Sequence, residues 1–451
     1  MFRRKIYNDL LNWKNNYSSE KALLIEGARR IGKSTIVEEF AKQEYKSYII
    51  IDFNDASKIV FNAFDNYLND LDTFFMILST EYNVELVEHE SLIIFDEVQK
   101  YPKARQSIKK LVKDGRFHYI ETGSLISIQE NVKDITIPSE EQSIKMFPMD
   151  FEEFCLALNE DKIIEYIKTC FKKRIALEDN FHHKAMLLFK QYMLVGGMPK
   201  VVNTYIENNR SFLKADKEKR DILTLYKNDI SKADGKYRTR VKSIFEQIPS
   251  FLSKHEKRVR LSNLEGNTNY PLYQDTFYWL KCSMMTNECF LCNDPNVGMA
   301  LNEERTFIKC YMGDTGLLVS QAFNETELSD GNLYKQILHD NLSINEGMLF
   351  ENAIAQILVS NGYSLFFYTH YNPSLHRNDI EVDFIISNGS KLKPKIFPIE
   401  VKSTKKYTNK SIKMFKEKFH DRIGEAYIIH PKNFKVEDNI IYIPAYMAFC
   451  L

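Results

Sequence analysis

The sequence predicts an α/β fold with a parallel N-terminal sheet, a helical middle region and a second α/β domain at the C-terminal end. Three observations carry this reading. Apolar, β-rich runs at residues 22–25, 47–53, 92–95 and 118–122 alternate with helical patterns, as strands do when helices cover both faces of a parallel sheet. From Phe151 to about Arg240 the apolar spacing turns helical, with Phe151, Phe154, Phe189, Tyr192 and Met193 on it and Gly196, Gly197 and Pro199 interrupting it. After Glu346 a helical pattern (346–361) leads into strand patterns at 364–368, 381–387, 396–402 and 425–429.

A chain of 451 residues exceeds one typical core. Three domains are expected, at 1–150, 151–325 and 326–451, with the polar stretch 324–341 as a linker. Hydrophobic residues at 44% and charged residues at 27% exclude a disordered chain. With 61 basic and 61 acidic residues, net charge argues neither for nor against nucleic acid, so only local patches can speak to it. The N-terminal residues lack the apolar run of a secretory signal, no stretch is apolar enough to span a membrane, and the seven cysteines are odd in number. A cytoplasmic protein with reduced thiols and no membrane partner is expected.

The first strand runs into Gly27-Ala28-Arg29-Arg30-Ile31-Gly32-Lys33-Ser34-Thr35, a gapless Walker A pattern before a helix that starts near Lys33. Such a loop cradles phosphates with its backbone N–H groups, Lys33 reaches the outer phosphates and Ser34 can ligate magnesium. Arg29 and Arg30 either touch phosphates or face solvent. Leu92-Ile93-Ile94-Phe95-Asp96-Glu97 is the matching Walker B strand. Its acids leave the C-terminal edge, where open α/β sheets bind ligands, so Asp96 is expected to hold Mg2+ and Glu97 to orient the attacking water. Thr122-Gly123-Ser124 ends the next strand, and Ser124 is the candidate polar residue facing the γ-phosphate. ATP and Mg2+ are the cofactors these residues imply.

On these residues the chain resembles the prokaryotic AAA-type P-loop ATPases that pair an N-terminal P-loop domain with a C-terminal domain of restriction-endonuclease-like fold. The resemblance extends over Asp96-Glu97-Val98-Gln99 with Tyr101-Pro102, Phe147-Pro148-Met149-Asp150-Phe151-Glu152-Glu153-Phe154, Gly196-Gly197-Met198-Pro199 and Tyr311-Met312-Gly313-Asp314-Thr315-Gly316-Leu317. It implies a parallel-sheet ATPase domain, a helical and winged-helix region that includes about 240–318, and a nuclease-like end. Many relatives carry a Gly-Arg pair before the proline-aromatic motif. Here Pro138-Ser139-Glu140-Glu141-Gln142 has no arginine, so no arginine finger is assigned.

At the C-terminal end, Asp383 sits in Glu381-Val382-Asp383-Phe384, and Phe397-Pro398-Ile399-Glu400-Val401-Lys402 follows. Strand alternation puts Glu400 and Lys402 on one face, beside the hairpin strand that carries Asp383. This is the PD-(D/E)xK nuclease arrangement. It has Asp383 and Glu400 as magnesium ligands, Lys402 activating or stabilising the water, and Glu351 on the leading helix as a further ligand. Two readings stay open: a domain that cuts DNA, or an inactive nuclease-like scaffold that binds DNA or a protein partner. Lys391, Lys393, Lys395, Lys405, Lys406, Lys410, Lys413 and Lys416 make the neighbourhood basic, as a phosphate-binding rim or a solvated face would be. Cys282, Cys289, Cys292 and Cys310 read as small buried hydrophobes ahead of a zinc site, and His182-His183 as a surface pair.

Overall fold

A computed structural model describes residues 1–123, 138–235, 237–254, 257–259, 273–323, 334, 336, 338, 346–388 and 395–451. They form two compact units. The first holds Met1, Arg3–Phe147 and Cys282–Met284, and the second holds Phe2, Pro148–Lys281 and Met285–Leu451.

In the first unit, helix α1 (Ile6–Asn16) precedes β1 (Ala22–Gly27), α2 (Lys33–Glu44), β2 (Ser47–Asp52), α3 (Lys58–Asn66), α4 (Leu71–Tyr82), β3 (Ser91–Asp96), α5 (Pro102–Asp114), β4 (His118–Gly123) and β5 (Glu141–Met146). The strands form a five-stranded sheet in the order β2-β3-β4-β1-β5, and every pairing is parallel. β1 and β3 are buried along their whole length, which is why they read as unbroken apolar runs. Helix ends follow local chemistry. Ser57 and Asp70 cap α3 and α4, Pro102 opens α5, and Gly115 at φ 80° closes it. One core cluster packs Ile49, Ile51, Ile93 and Phe95 of the sheet against Phe64, Phe74 and Leu78 of the helices.

β5 has no apolar run. Its Glu-Gln-Ser-Ile-Lys-Met stretch is mostly half-buried at the sheet edge. It is held by parallel pairing to β1 and by Arg105 of α5, whose guanidinium forks onto Glu141 at 2.7 and 2.9 Å with both side chains buried.

The second unit begins with α6 (Phe151–Ala157), α7 (Asp161–Lys173), α8 (Asp179–Val195), α9 (Pro199–Glu207), α10 (Phe212–Ile230) and α11 (Arg238–Leu252). Then follow α12 (Gln274–Ser283), β6 (Thr286–Cys292), β7 (Glu303–Met312), α13 (Thr315–Ala322), α14 (Glu346–Ser360), β8 (Leu365–Asn372), β9 (Arg377–Asn388), β10 (Lys395–Val401), α15 (Lys410–Lys418), β11 (Ala426–His430), β12 (Lys435–Glu437) and β13 (Ile440–Pro444). The strands make one mixed eight-stranded sheet, β12-β13-β11-β10-β9-β8-β6-β7.

The sequence places a domain boundary near residue 325, but the sheet crosses it. β6, from the stretch expected as winged-helix, pairs in parallel with β8 through Cys289, Phe290 and Leu291. A hairpin whose outer edge hydrogen-bonds to another strand is part of that sheet, whatever the local pattern suggests. Much of the expected linker at 324–341 lies outside the described residues.

Within the second unit, the motif residues 148–154, 196–199 and 311–317 come together as one buried junction. Asp150 and Glu153 form a reciprocal capping box at the start of α6. Asp314 caps α13 through Leu317 N–H at 3.0 Å and also accepts the Gly197 N–H at 2.5 Å and the Gln356 amide at 3.3 Å. Gly197 returns its carbonyl to Met149 N–H at 2.7 Å. A Cβ on Gly197 would stand 2.0 Å from the Met149 oxygen. No helix among the described residues is long and apolar enough to cross a membrane.

Candidate nucleotide site and C-terminal carboxylate cluster

The loop between β1 and α2 turns through Arg30 at φ 69° and Gly32 at φ 93°, left-handed conformations that the glycine adopts without steric cost. Ala28 and Ile31 are buried and anchor the loop, whereas Arg29, Arg30, Ser34 and Thr35 are exposed at its rim. Lys33 is buried under the loop, and its Nζ donates to the Gly27 and Ala28 carbonyls at 2.9 Å each. Burial pulls its ammonium down to about 8, against the opposing pull of Glu97 and Asp96. Arg4, outside every motif, donates to the Ile31 carbonyl at 3.0 Å and the Phe147 carbonyl at 2.6 Å and so braces the loop.

β4 lies between β1 and β3, so its C-terminal end faces the gap between the two motifs. Ser34 Oγ donates to Asp96 Oδ1 at 2.9 Å, and the Thr122 hydroxyl donates to the same oxygen. Thr122, not assigned a role from sequence, therefore takes the place beside Asp96. Ser124 lies outside the described residues. Glu97 sits at φ 54°, unusual for a non-glycine residue, and accepts a hydrogen bond from the Gln99 amide. Arg4, Gln99 and Thr122 were not chosen from sequence. Gln99 and Thr122 lie inside quoted motifs, while nothing local marks Arg4.

In the second unit the structure gathers Glu351, Asp383, Glu400 and Lys402, the residues singled out by sequence, and adds Lys257, Lys309 and Tyr311. Lys309 of β7 is buried and stands 3.3 Å from Glu351 Oε1 and 3.5 Å from Asp383 Oδ1. Glu351 also takes Lys257 on Oε2 and the Tyr311 hydroxyl on Oε1. Asp383 Oδ2 accepts the Val401 N–H at 2.9 Å. Lys402 Nζ lies 2.5 Å from Glu400 Oε1, and the buried Glu400 Oε2 has no hydrogen-bond partner among the described residues. Burial pushes Glu400 up to about 7, helped by Asp383 and opposed by Lys402. Burial would also raise Glu351, but Lys257 and Lys309 outweigh it and hold its carboxyl below the usual carboxylate range. Among the described residues no group of three His, Cys, Asp or Glu is arranged to hold a metal ion.

Near Lys402, a cavity of about 380 Å3 is lined by Lys405, Lys406, Tyr407, Lys432, Lys435 and Tyr442, among others. Of the other expected basic residues, Lys413 pairs with Asp438 at 2.7 Å, and Lys395 and Lys416 donate to backbone carbonyls at 2.5 and 2.8 Å. Lys391 and Lys393 lie outside the described residues. Cys282, Cys289, Cys292 and Cys310 are all buried, and burial pushes the Cys292 thiol up to about 11. His182, expected at the surface, is buried and meets the Tyr446 hydroxyl at 3.0 Å.

A parallel sheet in this order, with a glycine-rich loop entering a helix and an acidic strand end two positions away, defines the first unit as a P-loop domain of the nucleoside-triphosphatase class. Residues 19–155 match the family model of an AAA domain. Residues 186–328 and 346–447 match two domains of unknown function, DUF8612 and DUF4143. No curated protein is detectably similar in sequence. Similar solved structures include a Walker-type ATPase of Pyrococcus abyssi, at 15% identity and a TM-score of 0.40, covering 72% of this chain and 96% of that one. The Aeropyrum pernix ORC2 protein in its ADPNP-ADP complexes is another, at 9% identity and a TM-score of 0.30, covering 75% and 93%. Likeness at that level says nothing about activity.

Proposed function

We propose that this chain is a magnesium-dependent ATPase whose nucleotide state controls a nuclease-like C-terminal domain. The observation that carries the first half is the chain Ser34–Asp96–Thr122 beside Lys33, which sits on the loop's own carbonyls. These are the groups a triphosphate and its metal would engage, in a cradle lined with backbone N–H groups at the start of α2. Ser34 and Asp96 would hold Mg2+, which when bound neutralises charge on the outer phosphates. Glu97, aimed by Gln99, takes a proton from the water that attacks the γ-phosphorus, as the bond to the bridging oxygen breaks to leave ADP and phosphate. Titration calorimetry with ATP and MgCl2 tests binding; no heat from folded protein sinks the reading.

A pH dependence follows from Lys33. A triphosphate favours its charged form, so ATP affinity is full below about 8 and falls as pH rises through that value, by up to about tenfold per unit. Calorimetry from pH 7 to 9.5 is expected to show this loss, accompanied by proton uptake on binding at the alkaline end.

For the C-terminal domain, cutting and gripping are both consistent with its helix, strand and hairpin order. The engagement of Glu351, Asp383 and Glu400 by lysines favours gripping. The neighbouring lysine-lined cavity suits an anionic partner, with DNA ahead of an acidic protein surface. Incubation with MgCl2 and linear, branched or single-stranded DNA, beside a Lys402→Ala variant, is expected to show binding without strand scission. Scission lost in the variant would restore the cutting reading.

A further inference from the structure

We infer that the cation of the C-terminal carboxylate cluster is the protein's own: Lys309 and Lys257 stand where a nuclease-like centre would take a divalent metal ion. The inference rests on reading Glu351, Asp383, Glu400 and Lys402 as a nuclease-like set, and asks whether those residues fit the metal such a set implies. A hard divalent cation needs carboxylate oxygens free to turn toward it, and a site left negative by its ligands. Neither condition is met. Both Glu351 oxygens are engaged, Oε1 by Tyr311 and Lys309 and Oε2 by Lys257. Both Asp383 oxygens are engaged, by Lys309 and by the Val401 N–H. Of Glu400, Oε1 is taken by Lys402, and Oε2 has no hydrogen-bond partner among the described residues.

Charge leads to the same conclusion. Three carboxyl groups face the three ammoniums of Lys257, Lys309 and Lys402, so the cluster offers no excess of negative charge, and a divalent ion would add two uncompensated charges to a largely buried site. Lys309 is the central member, because among the described residues it alone bridges the helix acid Glu351 and the strand acid Asp383. It comes from β7, the strand at the sheet edge two places beyond β8, so the cluster is completed from outside its helix and hairpin core.

The test uses the full chain without nucleotide, titrated with MnCl2 and followed by electron paramagnetic resonance of free Mn2+. The unsubstituted protein, an Asp383→Asn variant, a Lys309→Met variant and a variant carrying both changes are compared, with circular dichroism to establish folding. The first two are expected to bind Mn2+ alike. Lys309→Met is expected to gain one Mn2+ per chain, to lose it again on adding Asp383→Asn, and to melt at higher temperature when Mn2+ is present. A Mn2+ site in the unsubstituted protein that Asp383→Asn removes overturns the inference, and this comparison needs no lysine variant to fold. So does a folded Lys309→Met that gains no ion. Because ATP is absent throughout, failure of the ATPase reading leaves these outcomes unchanged.

Discussion

Glu97→Gln is expected to lower the turnover of ATP by about 10²–10⁴-fold while leaving its binding almost intact, the range for loss of a positioned general base. The amide keeps the size of the carboxylate, so the hydrogen bond from Gln99 can be kept only if the side chain presents its oxygen. What the variant cannot do is take a proton from the attacking water. Asp96, Ser34 and Lys33 remain in place, so the groups proposed to hold the triphosphate and its metal are kept. Phosphate release measured beside calorimetric binding checks both halves. Turnover equal to that of the unsubstituted protein would remove Glu97 from the chemistry, and loss of binding would make it a structural residue of the loop. Thr122→Val is a finer companion. It deletes one of the two hydroxyls on Asp96 Oδ1 and is expected to weaken binding in the presence of Mg2+ more than in its absence.

Gly197→Ala is expected to destabilise the second unit by about 3 kcal/mol or more, the upper range for forcing atoms into a packed interior. The added methyl meets the Met149 oxygen, nitrogen and carbonyl carbon at 2.0, 2.7 and 2.8 Å, and all three are backbone atoms that cannot rotate away. Relief would require breaking the Met149–Gly197 bond of 2.7 Å and pulling the Gly197 N–H from Asp314. Asp314 would then lose one of the donors that offset its burial while still capping α13. Urea unfolding followed by tryptophan fluorescence checks this through Trp279, with Gly235→Ala as a control, since a Cβ there meets nothing within 4 Å. Equal midpoints for the two variants would show that the junction tolerates expansion.

Much of the candidate nucleotide site was legible because its chemistry is local. A phosphate loop needs glycine, lysine and a hydroxyl within one turn, and the Walker B strand announces itself by burying every residue up to Asp96. The first four strands were found for the same reason. β5 was not, since its support comes from pairing to β1 and from Arg105, neither visible in a polar six-residue stretch. In the C-terminal half, strand patterning located β9 and β10 and their acids, but not β12, which is three residues long, or β13.

By itself the sequence determined the phosphate-loop pattern at the N-terminal end and the acids of the second cluster, because both depend on residue types held at short spacing along one or two elements. Tertiary structure alone decided which groups those acids meet. Lys257, Lys309 and Tyr311 reach Glu351 from 94, 42 and 40 residues away, and Gly197 reaches Asp314 across 117. Contacts at such range leave no local pattern. They arise when strands pair and helices pack, and here they set the charge of one site and the rigidity of the junction beside it.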